Sequence, residues 1–235
     1  MAERYPAGPD YELTFEVGPD AGMYDAINKG LLRATGDICS YLNCDEQLLP
    51  GALSRVRRFF ACHPSVDVVF GDAILVDAEG LALCYWRPYA PSLNHLSGAT
   101  LNTLSCSTFF RRGIVERGHL FESQWKAIGD LQWIRGLLAN RCFMGCLHHA
   151  LAAFTYLGDN LGASQIARNE FEMTRTKWSG LQRVFRRGLH FARKALSGAY
   201  VKRNIKYELF APGDSTRRRE YHNSNLGWTW PGSRG

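Results

Sequence analysis

Apolar residues recur at intervals of three and four over residues 23–35, where Ala26, Ile27, Leu31 and Ala34 share a face. That spacing predicts an amphipathic helix, with Asp20 placed to cap its start and Gly36 to end it. Residues 13–17 read as a short strand before the turn GPDAG, and residues 38–42 as a second strand. Pro50 suits the first position of another helix, with Leu53, Val56 and Phe60 on one face and Arg55, Arg57 and Arg58 around the rest. Residues 66–70 are strongly β-prone, and the runs AILV and LALCYW flank Asp77-Ala78-Glu79-Gly80 as a hairpin would. A further helix is expected over 130–140, with Leu131, Ile134, Leu137 and Leu138 inward, and one or two strands over 143–154. Early strand–helix alternation followed by hairpins describes a three-layer α/β domain with an antiparallel extension.

Composition narrows this picture in two places. The chain has no run of eighteen apolar residues, and MAERYPAGPD has neither an apolar core segment nor a cleavage site, so a cytoplasmic location is expected. The seven cysteines are odd in number and several sit in apolar segments, which predicts reduced, mostly buried thiols rather than disulfides. Charge is the larger signal. Residues 1–174 hold 14 Lys and Arg against 19 Asp and Glu, whereas residues 175–235 hold 14 against 3, so the chain passes from net −5 to net +11. An acidic body with a basic tail points to an anionic partner, a membrane surface or a nucleic acid.

Candidate chemistry begins at Asn43-Cys44-Asp45-Glu46, directly after a strand, where open α/β sheets bind ligands. Adjacent carboxylates beside an amide suit a hard divalent cation bridging diphosphate oxygens, Mg²⁺ or Mn²⁺; taken alone, the same residues also suit a solvated turn. Cys142, Cys146, His148 and His149 bring zinc-type ligands together in sequence, but strand alternation puts His149 on the opposite face and the usual zinc spacing is absent, so no zinc site is expected.

The run PDAGMYDAINKGLLRATGDICSYLNCDEQLL, residues 19–49, resembles family 2 glycosyltransferases of the GT-A fold, especially bacterial members that build cell-surface polysaccharides and glycolipids. The residues that carry the resemblance include Gly22, Tyr24, Asp25, Asn28, Lys29, Gly30, Asn43, Asp45 and Glu46. It implies that Asp45 and Glu46 hold the metal and diphosphate with Asn43 beside them, and that Asp25, Asn28 and Lys29 line the nucleotide side. Glu46 departs from the family, which has a second Asp there. The segment 107–138 is similar to the family's acceptor side, and it implies that Asp130 is the base that deprotonates the acceptor hydroxyl in an inverting transfer. Asp130 also suits a plain helix cap. Arg111 is a candidate phosphate contact, and Trp125 a platform for an acceptor sugar.

The resemblance covers residues 11–164 and implies an α/β, GT-A-like mixed sheet. It lacks the family's two N-terminal nucleoside-binding βα units, about sixty residues; the chain therefore reads as N-terminally truncated. The division expected is a partial transferase domain over 1–174, a basic amphipathic helical segment over 175–210 and an irregular tail over 211–235. In the helical segment Leu181, Phe185, Leu189, Ala192 and Leu196 recur at helical spacing among arginines, with Gly188 and Gly198 as weak points. Such a helix lies either on an anionic cytoplasmic leaflet or on the domain's own core with its basic face solvated. The expected partners are a nucleotide-diphosphate sugar and a glycan or lipid-linked acceptor. A catalytically inactive scaffold paralogue and a basic-tailed adaptor for membrane or nucleic acid are the alternatives.

Overall fold

The computed structural model describes residues 11–14, 16–158, 160–210 and 217–231. A mixed six-stranded sheet carries the body. Its strands are β1 (Ile38–Cys39), β2 (Glu46–Leu48), β3 (Val68–Val76), β4 (Ala82–Trp86), β5 (Thr108–Arg111) and β6 (Met144–Thr155). They lie in the order β1-β5-β3-β6-β2, and β4 pairs with the far half of β3. Only β3 and β6 run parallel, in a ladder from Val68↔Met144 to Val76↔Thr155. Every residue of β3 is buried, which is why its apolar run is continuous rather than alternating.

Helices cover both faces, as the alternation predicts. On one face α1 (Met23–Arg33) and α5 (Gly129–Ala139) bury Tyr24, Leu31, Leu131, Ile134 and Leu137 against Val68, Phe70 and Phe110. On the other, α2 (Ala52–Cys62) buries Val56 and Phe60 against Val69, Phe109 and Leu151. Two one-turn helices, α3 (Leu93–Leu96) and α4 (Gly113–Glu116), punctuate the loops, and α6 (Gln165–Thr174) and α7 (Gly180–Leu196) follow β6. The β3–β4 hairpin turns through Gly80 at φ 86°, a left-handed conformation that favours glycine.

Several boundaries differ from the sequence reading. The described residues of 13–17 form no strand, and with Leu13 and Val17 exposed the run has no cross-strand partner to hold it. β1 stops at Cys39 because the Ser40 hydroxyl, not its backbone, donates to the Thr108 carbonyl at 3.0 Å. Asp20 lies two residues before the α1 cap, Gly22, whose N–H it accepts at 2.9 Å. Ala34 leaves α1 in an extended conformation, so Gly36 has no capping role. α2 opens at Ala52 after a left-handed Gly51, two residues later than a helix with Pro50 at its first position, and Leu53 faces solvent.

The tail departs most. Residues 203–210 and 218–226, read from sequence as helical and irregular, form the antiparallel hairpin β7 (Arg203–Phe210) and β8 (Arg218–Leu226). Ile205, Tyr207 and Leu209 alternate with polar residues and pack with Leu226 on Ile74 and Tyr85. Residues 211–216 and 232–235 of the expected tail lie outside the described residues. All seven cysteines are free as expected, but Cys44 and Cys62 are exposed rather than buried. Among the described residues no helix is long and apolar enough to cross a membrane.

Candidate active site

A cleft of about 1700 Å³ opens between the sheet's β2 end, the start of α5 and α7. Pockets for one small ligand run to roughly 300–1,000 Å³, so this cleft has room for two substrates. Asn43, Asp45 and Asp130 line it together with Tyr24 and Tyr41.

Asp130 is the second residue of α5, whose N-cap is Ile128. Its Oδ1 accepts the Leu131 N–H at 2.7 Å, and its own N–H donates to the Tyr24 hydroxyl at 3.3 Å. Burial pushes its carboxyl up to about 6, with the two backbone N–H groups opposing the rise. That is the range in which a carboxylate serves as a general base at neutral pH. Two features fix it there. Glu170 of α6 accepts the N–H groups of Lys126, Ala127 and Ile128 at 2.8, 3.0 and 3.2 Å, tying down the chain that leads into α5. Gly129 lets the Tyr24 ring approach, since a Cβ there would lie 2.5 Å from it.

Asp45 is exposed in the turn between β1 and β2, and its carboxylate has no hydrogen-bond or ion-pair partner among the described residues. The Thr155 hydroxyl donates to its backbone carbonyl at 2.6 Å and holds the turn on β6. Glu46 points the other way. It is buried, accepting the Asn43 N–H at 2.8 Å and the Ser105 hydroxyl at 2.9 Å, and burial raises its pKa. Among the described residues no three His, Cys, Asp or Glu side chains cluster as a metal cage. The donor set therefore fits a divalent ion carried in by a diphosphate and met by one protein carboxylate, a usual arrangement for Mg²⁺.

The other candidates lie off the cleft. Asp25 pairs with Lys29 at 2.8 Å and accepts the Ala21 N–H, while Lys29 also donates to the Pro19 carbonyl. Asn28 clamps the Phe121 backbone, donating to its carbonyl at 2.7 Å and accepting its N–H at 2.9 Å. Arg111 donates to the carbonyls of Val66, Phe60 and His63 and lies over the Phe60 ring. Trp125 packs against the α1–α5 core and donates to Glu122, so it is not placed as a platform for a sugar in the cleft. His148 reaches only Asp72, at 3.4 Å, and does not form a zinc site with its cysteine neighbours.

Sequence reasoning missed the opposite wall. Lys177, Arg183, Arg187 and Lys194 line the cleft, with Trp86 and Trp178 between them. Tyr89 links His95 and His190 through its hydroxyl, at 3.0 and 2.7 Å, and so ties α7 to α3. Burial, then the neighbouring His190, depresses His95 to about 4, so both rings are held neutral at pH 7. Helical periodicity shows α7 itself but not which face turns inward.

No family model matches the chain. Over 57 residues it is 40% identical to a PGL/p-HBAD biosynthesis glycosyltransferase of Mycobacterium bovis (strain BCG / Pasteur 1173P2), and equally to its counterpart in Mycobacterium tuberculosis (strain ATCC 25618 / H37Rv). The stretch covers 24% of this chain, which spans only 22% of the length of those curated relatives. The fold is similar to that of S. aureus TarS 1–349 in complex with UDP-GlcNAc, with a TM-score of 0.51 and 18% identity over 66% of this chain and 45% of that one. In the shared stretch the chain is thus similar to glycosyltransferases, and in its fold to TarS. The α/β mixed sheet is GT-A-like.

Proposed function

We propose that the chain transfers a sugar from a nucleotide-diphosphate donor to a glycan or lipid-linked acceptor in cell-surface glycolipid or polysaccharide synthesis, with inversion at the anomeric carbon. The observation that carries this reading is the pairing, on one cleft, of Asp45, a carboxylate without a partner among the described residues, with Asp130, a half-buried carboxylate raised to about 6. The curated relatives named as PGL/p-HBAD biosynthesis glycosyltransferases and the UDP-GlcNAc bound to TarS support the choice of substrates.

In this mechanism Asp130 takes the proton of the acceptor hydroxyl. The hydroxyl oxygen forms the new bond to the anomeric carbon as the bond to the diphosphate breaks on the opposite face, and the nucleoside diphosphate leaves with the electron pair. Asp45, with Asn43 beside it, would hold Mg²⁺ or Mn²⁺ on the diphosphate, where such an ion neutralises the charge developing on the leaving group. Tyr24 and Tyr41 line the cleft beside the base.

A second reading, an inactive binding subunit, has one observation in its favour. Asp25, Asn28, Lys29 and Arg111 are engaged in structural contacts, which leaves Asn43 and Asp45 as the only expected donor contacts on the cleft among the described residues. Calorimetric titration of UDP- and GDP-sugars in Mn²⁺ separates the two. The transferase reading predicts binding by at least one donor that Asp45→Ala removes; no binding by any donor, or binding indifferent to Asp45, supports the inactive subunit.

A further inference from the structure

α7 packs inside out. At 3.6 residues per turn, Leu181, Val184, Phe185, Leu189, Ala192 and Leu196 fall within one sector of about 140°, and Arg186, His190, Arg193 and Lys194 fall opposite. In a helix covering a core the apolar sector turns inward. Here the basic sector does. Arg186 donates to the Asn94 carbonyl, Arg193 to the Ser92 hydroxyl at 3.1 Å, His190 meets the Tyr89 hydroxyl at 2.7 Å, and Lys194 lies 4.2 Å from the Trp86 ring centre. The apolar sector is left in solvent, with Leu181 82%, Phe185 70% and Leu196 88% exposed, and no residue of the helix is buried. The arrangement rules out a helix packed on its own core with a solvated basic face.

We infer that α7 is a lipid-docking helix that lies in the plane of an anionic leaflet with this apolar sector among the headgroups and upper acyl chains. Charge chooses lipid over a second copy of the chain. Of the cations in residues 175–206, Lys177, Arg183, Arg187 and Lys202 are exposed with no ion pair among the described residues, and the segment holds no Asp or Glu. Two copies meeting across this face would set those cations against each other, whereas anionic headgroups complement them. The helix is also too short to span: its 17 residues cover about 25 Å at 1.5 Å each, against a hydrocarbon core of about 30 Å. An amphipathic helix of that kind binds in the interface plane.

The edge of the apolar sector is also the rim of the cleft. Val184 and Phe191 are exposed apolar residues of α7 and line the cleft together with Arg183 and Arg187. Docking through α7 thus sets the cleft mouth at headgroup level, where an acceptor embedded by a lipid tail presents its sugar or hydroxyl. This clause about the acceptor rests on the transferase reading; the docking itself does not.

The test is flotation of the full chain with vesicles of phosphatidylcholine carrying a minority of phosphatidylglycerol, without nucleotide sugar, so that its outcome is independent of transfer. The wild-type chain floats with the vesicles, and the double variant Leu181→Ser, Phe185→Ser loses at least about tenfold in bound fraction with its circular dichroism unchanged, because both side chains are exposed. Added salt weakens binding less than the double substitution does, since Arg186, Arg193 and Lys194 face the body. Equal flotation of the variant, or no flotation of the wild type, overturns the inference. So does a wild-type dimer in sedimentation that the serines dissolve, which would make a second copy the occupant.

Discussion

The hydroxyl of Tyr24 accepts the backbone N–H of Asp130 at 3.3 Å, so α1 reaches across the core to hold the start of α5. The approach is close enough that only glycine fits at position 129, where an added Cβ would lie 2.5 Å from the Tyr24 ring. Alanine in place of glycine ordinarily stabilises a helix, by about 0.8–1.0 kcal/mol. Gly129→Ala is expected to do the reverse, costing about 1–3 kcal/mol through overpacking. Urea unfolding measures the sign, and a stabilised variant would show that Tyr24 is free to move aside.

Asp130 should trade stability for activity. Its folded pKa, about 6, is above its ordinary value of 3.8, so between those two values the folded state binds more protons than the unfolded. The contribution is fully present below the unfolded value and is lost as pH rises to the folded one. At pH 7.5 the half-buried, ionised carboxylate is a liability, and Asp130→Asn is expected to raise Tm or leave it unchanged. Thermal scans at pH 4 and 7.5 check this: the advantage of the variant should appear only at the higher pH.

Glu170 is a positioning residue for the same base. One carboxylate accepts three consecutive N–H groups, and hydrogen bonds to charged groups contribute about 1.5–3 kcal/mol. Glu170→Gln keeps the shape but loses the charge, so unfolding free energy should fall by an amount in that range. Release of the chain before α5 should also lower kcat with little change in donor KM and move the pH midpoint of the rate, whereas Glu170→Asp restores part of both. A stability loss with an unmoved pH profile would leave Glu170 only a structural part.

The two acidic neighbours should behave oppositely. Asp45→Ala removes an exposed carboxylate without a hydrogen-bond partner among the described residues, and is expected to change stability by less than about 0.5 kcal/mol while abolishing metal-dependent donor binding. Glu46→Ala strands the Asn43 N–H and the Ser105 hydroxyl, at a cost of about 1–3 kcal/mol. Denaturation and Mn²⁺-dependent titration of both variants give the comparison; a reversed pattern would make Glu46 the metal ligand.

Legibility followed the physics of each element. β3, the β3–β4 hairpin, α1 and α5 were readable because local periodicity and turn chemistry agree with their burial. Asp45 and Asp130 share the cleft because each lies at an element boundary beside it. Asn28 and Arg111 were misplaced because an amide or guanidinium in a resembling motif does not reveal whether it bonds a ligand or the Phe121 and Val66 backbones. The β7–β8 hairpin was hidden by its charge, since Ile205, Tyr207 and Leu209 alternate with an apolar period of two inside a basic stretch that reads as helical. Glu170 gave no signal, as its three partners are more than forty residues away in sequence. The inward basic face of α7 depends on Tyr89, Trp86 and Asn94, and helical periodicity alone does not fix which face turns inward.

Release of nucleoside diphosphate from UDP- and GDP-sugars in Mn²⁺ at pH 7.5, compared between the wild-type chain and Asp130→Asn, tests the central claim most directly. It registers attack by water as well as by an acceptor. The account predicts release by the wild type from at least one donor, and a rate lower by about a hundred- to ten-thousand-fold in Asp130→Asn, which still binds that donor. Equal rates from the two proteins would contradict Asp130 as the base.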